Sequence, residues 1–232
     1  MFGLPALWAQ IETLDNQVPA SVQIQMLLEI SGVVEHVAAW LLRADRLDIG
    51  REIARFAPPV QRLAEIVPEL LLPGERALLD QRAANYAAAG VSEPLATRIA
   101  GIIFLTTAFE VGELAERSAR PVDQAARTFY GVGARFALDE LRAAARRLPA
   151  ETQWQKAAVE TLIDDFYVLQ ADLATRVLTN ADGAADPLAA WLETHAGQLA
   201  PAEAIAAELR APTAPDLAML VVAGRQLRQA LG

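Results

Sequence analysis

The chain has 232 residues, enough for one large domain or two small ones, and a formal net charge of −9 from 20 basic and 29 acidic side chains. This surplus repels phosphate backbones, and the arginines are scattered among acids rather than gathered in a stripe, so nucleic acid is excluded as a partner class. The absence of cysteine excludes disulfides and thiolate metal sites and fits a reducing, cytoplasmic compartment.

An apolar fraction of 53%, heavy in alanine and leucine and without strand alternation, predicts an all-α fold, a multi-helix bundle of roughly eight to ten helices. The opening "MFGLPALWAQIETLDN" has no basic region, long apolar core or small-residue cleavage site, so no signal peptide is expected. A first helix, about Pro5 to Leu14 and carrying Trp8, ends in the turn "DNQVP". Pro19 opens a second helix running to about Arg43, whose broad apolar face includes Met26, Ile30, Val33, Val34, Val37 and Trp40.

Pro58 and Pro59 in "FAPPVQRL", and Pro73 with Gly74 in "LLLPGER", are expected to break the next region into short helices. In "GVSEPLATRI", Gly90 ends one helix, Ser92 caps the next and Pro94 lies in its first turn. That helix is expected to reach about Ser118, before Pro121. Its apolar run from Ile99 to Phe109 is shorter than the roughly 20 residues of a membrane span, so no membrane partner is expected.

The stretch "RTFYGVGARFALDELR" raises the possibility of a phosphate-cradling loop. A dinucleotide fingerprint needs a third glycine where Phe136 stands, and a strand where "PVDQAARTFY" reads as helix. The reading is instead an interhelical corner. Gly131 and Gly133 permit unusual backbone angles and close packing, Phe129, Tyr130 and Phe136 are core aromatics, and Asp139 caps the following helix. "RRLPAETQW" then separates the longest helix, about Ala150 to Leu178, whose apolar positions run from Trp154 to Val177. "TNADGAADP", Thr179 to Pro187, reads as a linker. It divides a core bundle, 1–178, from a tail packed on the bundle, 188–232, with helices at about Pro187 to Gly197, Pro201 to Arg210 and Ala214 to Leu231.

Candidate chemistry is sparse. His36 and His195 are far apart with no further ligands at helical spacing, and "GVSEP" lacks the last glycine of a serine elbow. Glu113 and Glu116 stand four residues before Arg117 and Arg120, the spacing of helix-surface ion pairs; Glu110 belongs to the same acidic run. Asp164 and Asp165 point in different directions on a helix, and Lys156 is placed on the polar flank. Arg142, Arg146 and Arg147 form a basic edge suited to a helix C-terminus or an acidic partner surface. No catalytic, cofactor-binding or metal-binding residue is assigned. The structural positions are Trp8, Trp40, Ser92, Tyr130, Gly131, Gly133, Asp139 and Trp154.

Two stretches carry a family resemblance. "FGLPALWAQIETLDNQVPASVQIQMLLEI" followed by "WLLR", and "LATRIAGIIFLTTAFEVGELA" through "YGVGARFALDELR" to "WQKAAVETLIDDFYVLQADLATRVL", cover most of Phe2 to Leu178. They resemble, in order, the C-terminal helical region of the large bacterial NAD-specific glutamate dehydrogenases. Where that family often has an arginine-rich segment before "WLLR", this chain has "SGVVEHVAA". The resemblance implies a non-catalytic C-terminal piece of an enzyme that oxidises glutamate to 2-oxoglutarate and ammonia with NAD. The NAD site and the catalytic lysines and acid then belong to the parent; their motifs match no position here. The implied partners are the upstream catalytic domain of the same polypeptide and neighbouring subunits, with bracing, assembly or regulation as the task. The alternative reading is a free-standing cytoplasmic helical interaction module.

Overall fold

The computed structural model describes residues 3–14, 17–43, 48–181, 183–210 and 216–231, and among these there is no strand, as the all-α expectation requires. Phe2, Asp15 and Asn16 of the "DNQVP" turn, the side chain of Arg43, Asp182 of the linker and Ala214 lie outside the described residues. The chain forms two compact units, one of Met1–Pro68 with Arg76–Glu113, the other of Glu69–Glu75 with Leu114–Gly232. They do not divide at 179–187, where composition alone draws a linker.

In the first unit, α1 (Leu4–Glu12) starts with Pro5 in its first turn and buries Leu4, Leu7 and Ile11, spaced three and four apart. It packs on α2 (Ala20–Arg43), which buries Met26, Ile30, Val33, Val37, Trp40 and Leu41. The Trp40 ring meets Phe56 edge-on at 4.7 Å and Phe109 at 5.6 Å, and its Nε1 donates to Glu113 Oε2 at 2.6 Å. Burying an indole is favourable only when its N–H finds a partner, and Glu113 meets that requirement.

α3 (Ile49–Leu70) runs straight through Pro58, Pro59 and Pro68, so the expected break is not there. Each proline removes one helical hydrogen bond. Pro58 and Pro68 are exposed and Pro59 half-buried, and the carbonyls they orphan, on Ala54, Arg55 and Ala64, belong to exposed residues that water reaches. The helix is held together by burying Phe56, Val60, Leu63, Ile66 and Val67 along one face, with Pro59 on its flank. α4 (Pro73–Ala88) does end at Gly90, whose φ of 94° lets Val91 N–H reach Tyr86 O at 3.1 Å.

Ser92 occupies the N-cap of α5 (Glu93–Ala100), but its side chain makes no capping bond. Pro94, at the second helical position, has removed one of the two amides it could accept. Nor is the helix continuous to Ser118: a 3₁₀ turn, Gly101–Ile103, separates α5 from α6 (Phe104–Arg117). The Thr106 hydroxyl donates to Ile103 O at 2.7 Å, a local side-chain bond that competes with the helical ladder at this join. By length and composition alone, 20–42 and 93–117 would each suffice to cross a membrane, a test that core helices of folded domains also pass.

In the second unit α7 (Val122–Arg135) and α8 (Leu138–Arg146) pack on α9 (Gln153–Asn180), and α10 (Pro187–Leu209) and α11 (Leu217–Ala230) close the core around them. α9 opens with a capping box in which Thr152 Oγ1 accepts Gln155 N and Gln155 Oε1 accepts Thr152 N. Pro201 does not split α10; it is exposed, one turn after exposed Gly197. The described residues of the linker candidate are pinned, because Gln124 Nε2 donates to the carbonyls of Ala184 and Ala185, both at 3.1 Å. The corner after "GVG" is real but falls later than expected. Gly131 and Gly133 are inside α7, and the left-handed residue is Ala137, with φ 56°.

These two glycines are there for space. A Cβ on Gly131 would stand 2.6 Å from Leu188 Cδ2, and one on Gly133 would stand 2.7 Å from Gln170 Nε2 and 2.8 Å from Leu72 Cδ1. Gly197, in α10, has nothing within 4 Å. Gly133→Val is therefore expected to cost about 3 kcal/mol through overpacking. Gly197→Ala is expected to stabilise by about 0.5–1 kcal/mol through helix propensity. Urea unfolding midpoints of the two variants check both signs.

Candidate functional site

The second unit contains a set of buried charged and polar side chains joined to one another. Arg142, on α8, is fully buried. Its Nη2 donates to Glu75 Oε1 at 3.2 Å and its Nη1 to Gln170 Oε1 at 2.6 Å. Gln170, on α9, passes the connection on, its Nε2 donating to Phe129 O on α7 at 2.9 Å. The guanidinium also lies over the Tyr167 ring at 4.3 Å, and Arg146 Nη2 reaches Tyr167 Oη at 3.5 Å.

Local sequence explains how these groups reach each other. Gly133 stands one turn after Phe129, and only a residue without a side chain leaves room for the Gln170 amide to approach that carbonyl. Pro73 opens α4, and Glu75, two residues on, accepts Leu72 N–H at 3.3 Å through its second oxygen. Asp139 does not cap its own helix, whose N-cap is Ala137. Its carboxylate instead accepts Gly74 N–H at 2.7 Å, capping α4 from 65 residues away. Gly74 allows this approach, because a Cβ there would lie 2.9 Å from both carboxylate oxygens.

Burial pushes the Glu75 carboxyl above the usual glutamate range, with Arg142 opposing and Asp139 adding to the shift. Burial also raises Tyr167, again opposed by Arg142. A raised carboxyl in a cleft would be a candidate general acid. Here the carboxylate is engaged on both oxygens, and neither of two surface grooves is lined by any residue of the network. One groove, about 670 Å³, lies between α9 and α11 over Leu162, Phe166 and Gly224; the other, about 440 Å³, lies between α1 and α2 beside Trp8 and Val34. Among the described residues no three His, Asp or Glu side chains gather as a metal site. The network's chemistry is structural, fixing α7, α8, α9 and the start of α4 in one register.

The remaining sequence candidates fall as follows. Tyr130 is buried edge-on to Phe129 at 5.5 Å, and Phe136 is fully buried. Trp8 lies at the surface, its Nε1 donating to Glu12. Trp154 is not part of the apolar face of α9; in the helix's first turn it is 66% exposed. The basic edge is mostly turned inward, since Arg142 is buried, Arg146 is half-buried and only Arg147 is exposed. α6 ends at Arg117, so Arg120 is not on that helix to pair with Glu116; it donates to the carbonyls of Leu178 and Ala181. Lys156 is exposed, and His195 Nδ1 sits 2.9 Å from Trp191 O. Sequence reading passed over Glu75 and Gln170. The signal for Gln170 was present, a polar residue among the buried positions Phe166, Leu169 and Leu173; for Glu75, 67 residues from Arg142, sequence offers none.

Arg142→Met leaves Glu75 buried without its counter-charge and is expected to cost about 3–5 kcal/mol. Combining it with Glu75→Gln is expected to recover about 1–3 kcal/mol as coupling in a double-mutant cycle. Glu75 also sets a pH slope. Its raised value in the folded state gives stability that is full at acid pH and lost as pH rises from the ordinary glutamate range through Glu75's own value. The stability of Glu75→Gln relative to the unmodified chain should therefore rise with pH across that window, read by urea unfolding at each pH.

Comparison with known proteins matches this architecture to a described family. The family "Glutamate dehydrogenase, C-terminal" matches residues 1–229. The NAD-specific glutamate dehydrogenase of Pseudomonas aeruginosa is 34% identical over 98% of the chain, that of Halomonas elongata 33% over 84%, and that of Mycobacterium tuberculosis 27% over 99%. The chain spans only 14%, 12% and 14% of the lengths of these relatives. It belongs to the family of glutamate dehydrogenase C-terminal domains.

Proposed function

We propose that the chain is a non-catalytic helical domain that braces and helps assemble a large cytoplasmic glutamate dehydrogenase, whose parent polypeptide converts L-glutamate and NAD to 2-oxoglutarate, ammonia and NADH. The observation that carries this reading is the match of dehydrogenases named NAD-specific to nearly the whole chain, which accounts for about one seventh of their length. The internal engagement of Glu75, Arg142, Gln170 and Asp139 supports it, because it directs these polar groups to one another rather than to a substrate. So does the helical state of "GVG", which leaves no loop there to receive a pyrophosphate. On this reading NAD and glutamate bind in the upstream catalytic domain of the same polypeptide, and the partners of this domain are that domain and neighbouring subunits.

The test uses both the chain and its parent. Calorimetric titration of the isolated chain with NAD and with glutamate should give no binding heat, and tight NAD binding would overturn the reading. Removing the segment from the parent should lower its thermal stability or change its oligomer size, while KM values of the remaining activity stay within about twofold. Unchanged stability, size and turnover would remove the bracing and assembly role.

A further inference from the structure

α2 is apolar on two opposite sides. One side faces its own unit through Met26, Ile30, Val33, Val37 and Trp40. On the other, Ile24 is 57%, Leu28 59% and Leu42 71% exposed, and Val34 on the flank is 44% exposed. A row of exposed large apolar side chains on a helix whose other side is already packed marks an interaction surface.

The outer stripe runs Ile24, Leu28, Ser31, Glu35, Ala38, Leu42, at alternating spacings of four and three; Ser31 is half-buried and, with Glu35, borders the groove between α1 and α2, and the other five are exposed. At about 100° per residue all six lie within about 40° of the direction opposite Val33, along about 27 Å of helix. This is the alternation of a and d positions in a coiled coil.

The stripe is self-complementary when reversed about Val33. Running antiparallel to a second copy, Ile24 meets Leu42, Leu28 meets Ala38 and Ser31 meets Glu35, each an a–d pair, with apolar pairs outside and the polar pair at the middle. Charge decides the orientation. A parallel pair sets Glu35 against Glu35, two like charges in a seam. The antiparallel pair sets Glu35 opposite Ser31, whose hydroxyl donates to it, twice per dimer. The flanking Gly32 has no atom within 4 Å of its Cβ position, which leaves space for a second helix to come close.

We propose that α2 is a two-fold, antiparallel self-association surface through which two copies of this domain pair. The inference deepens the assembly part of the proposed function by naming the partner as a second copy and the contact as the Ile24–Leu42 stripe. Covering the four large side chains and their flanks buries on the order of 500 Å² per protomer, which reaches the roughly 1,000 Å² total of a weak specific dimer. Association in the micromolar range is expected of the isolated chain.

The test uses the full chain, which has no cysteine of its own. Sedimentation velocity across a concentration series should show a monomer–dimer equilibrium. Leu28→Glu should raise the dissociation constant at least a hundredfold, because each dimer loses two buried leucines. Its circular dichroism should be unchanged, since Leu28 is exposed in the monomer. Independently, an oxidised mixture of Leu28→Cys and Ala38→Cys chains should give a disulfide-linked heterodimer, whereas Leu28→Cys alone should give none. A chain monomeric throughout, a Leu28→Cys homodimer from parallel pairing, or Leu28-dependent binding to phosphatidylcholine vesicles without dimerisation would each overturn the proposal. None of these readouts involves glutamate or NAD, so their failure leaves the dehydrogenase reading where it stands.

Discussion

A guanidinium removed from water is the constraint on which the second unit depends. Arg142 has no exposed surface, and an uncompensated buried charge costs several kcal/mol. Its compensation comes from three places in the chain: Glu75 at the start of α4, Gln170 in the middle of α9, and the Tyr167 ring. Two of these partners impose a requirement of their own. Gln170 relays to the Phe129 carbonyl, which requires Gly133 to lack a side chain; the turn that presents Glu75 is capped by Asp139, which requires the same of Gly74. One charge thus accounts for two glycines, an amide and two carboxylates.

The same arrangement engages the carboxyl that burial shifts. Glu75 sits above the usual range because of burial, a property common in catalytic acids. A general acid must also have a substrate within reach and a free oxygen with which to deliver a proton. Glu75 has one oxygen on Arg142 and the other on Leu72 N–H, and it lines neither the groove between α9 and α11 nor the one between α1 and α2. A network engaged in this way holds helices in register, which suits a helical domain of the family to which this chain belongs.

Prolines show where local rules yield to packing. Pro58, Pro59 and Pro201 carry the ordinary signals of helix termination, yet α3 and α10 continue through them. The lost hydrogen bonds fall on the wet side of each helix, while burial on the other side is continuous. Gly90, by contrast, ends its helix as its residue type suggests, because a positive φ there closes the Tyr86 to Val91 bond. The difference is one of facing: a breaker on the solvent side costs a hydrogen bond that water replaces, whereas a change of backbone hand redirects the chain whichever way it faces.

The sequence by itself determined the all-helical class, the family, the stop at Gly90 and the helix that leads into "GVG". These rest on composition, ordered motifs and the order of glycines along a few turns, all local quantities. Tertiary structure alone decided that Arg142 is buried rather than part of a basic edge, that Asp139 caps α4 instead of α8, and that Trp154 faces solvent. Those outcomes turn on pairs 65 and 67 residues apart and on which face of a helix meets a neighbour. Hydrophobic periodicity names the face a helix will bury; what that face meets, and which charge must follow it inside, is set only when the helices pack.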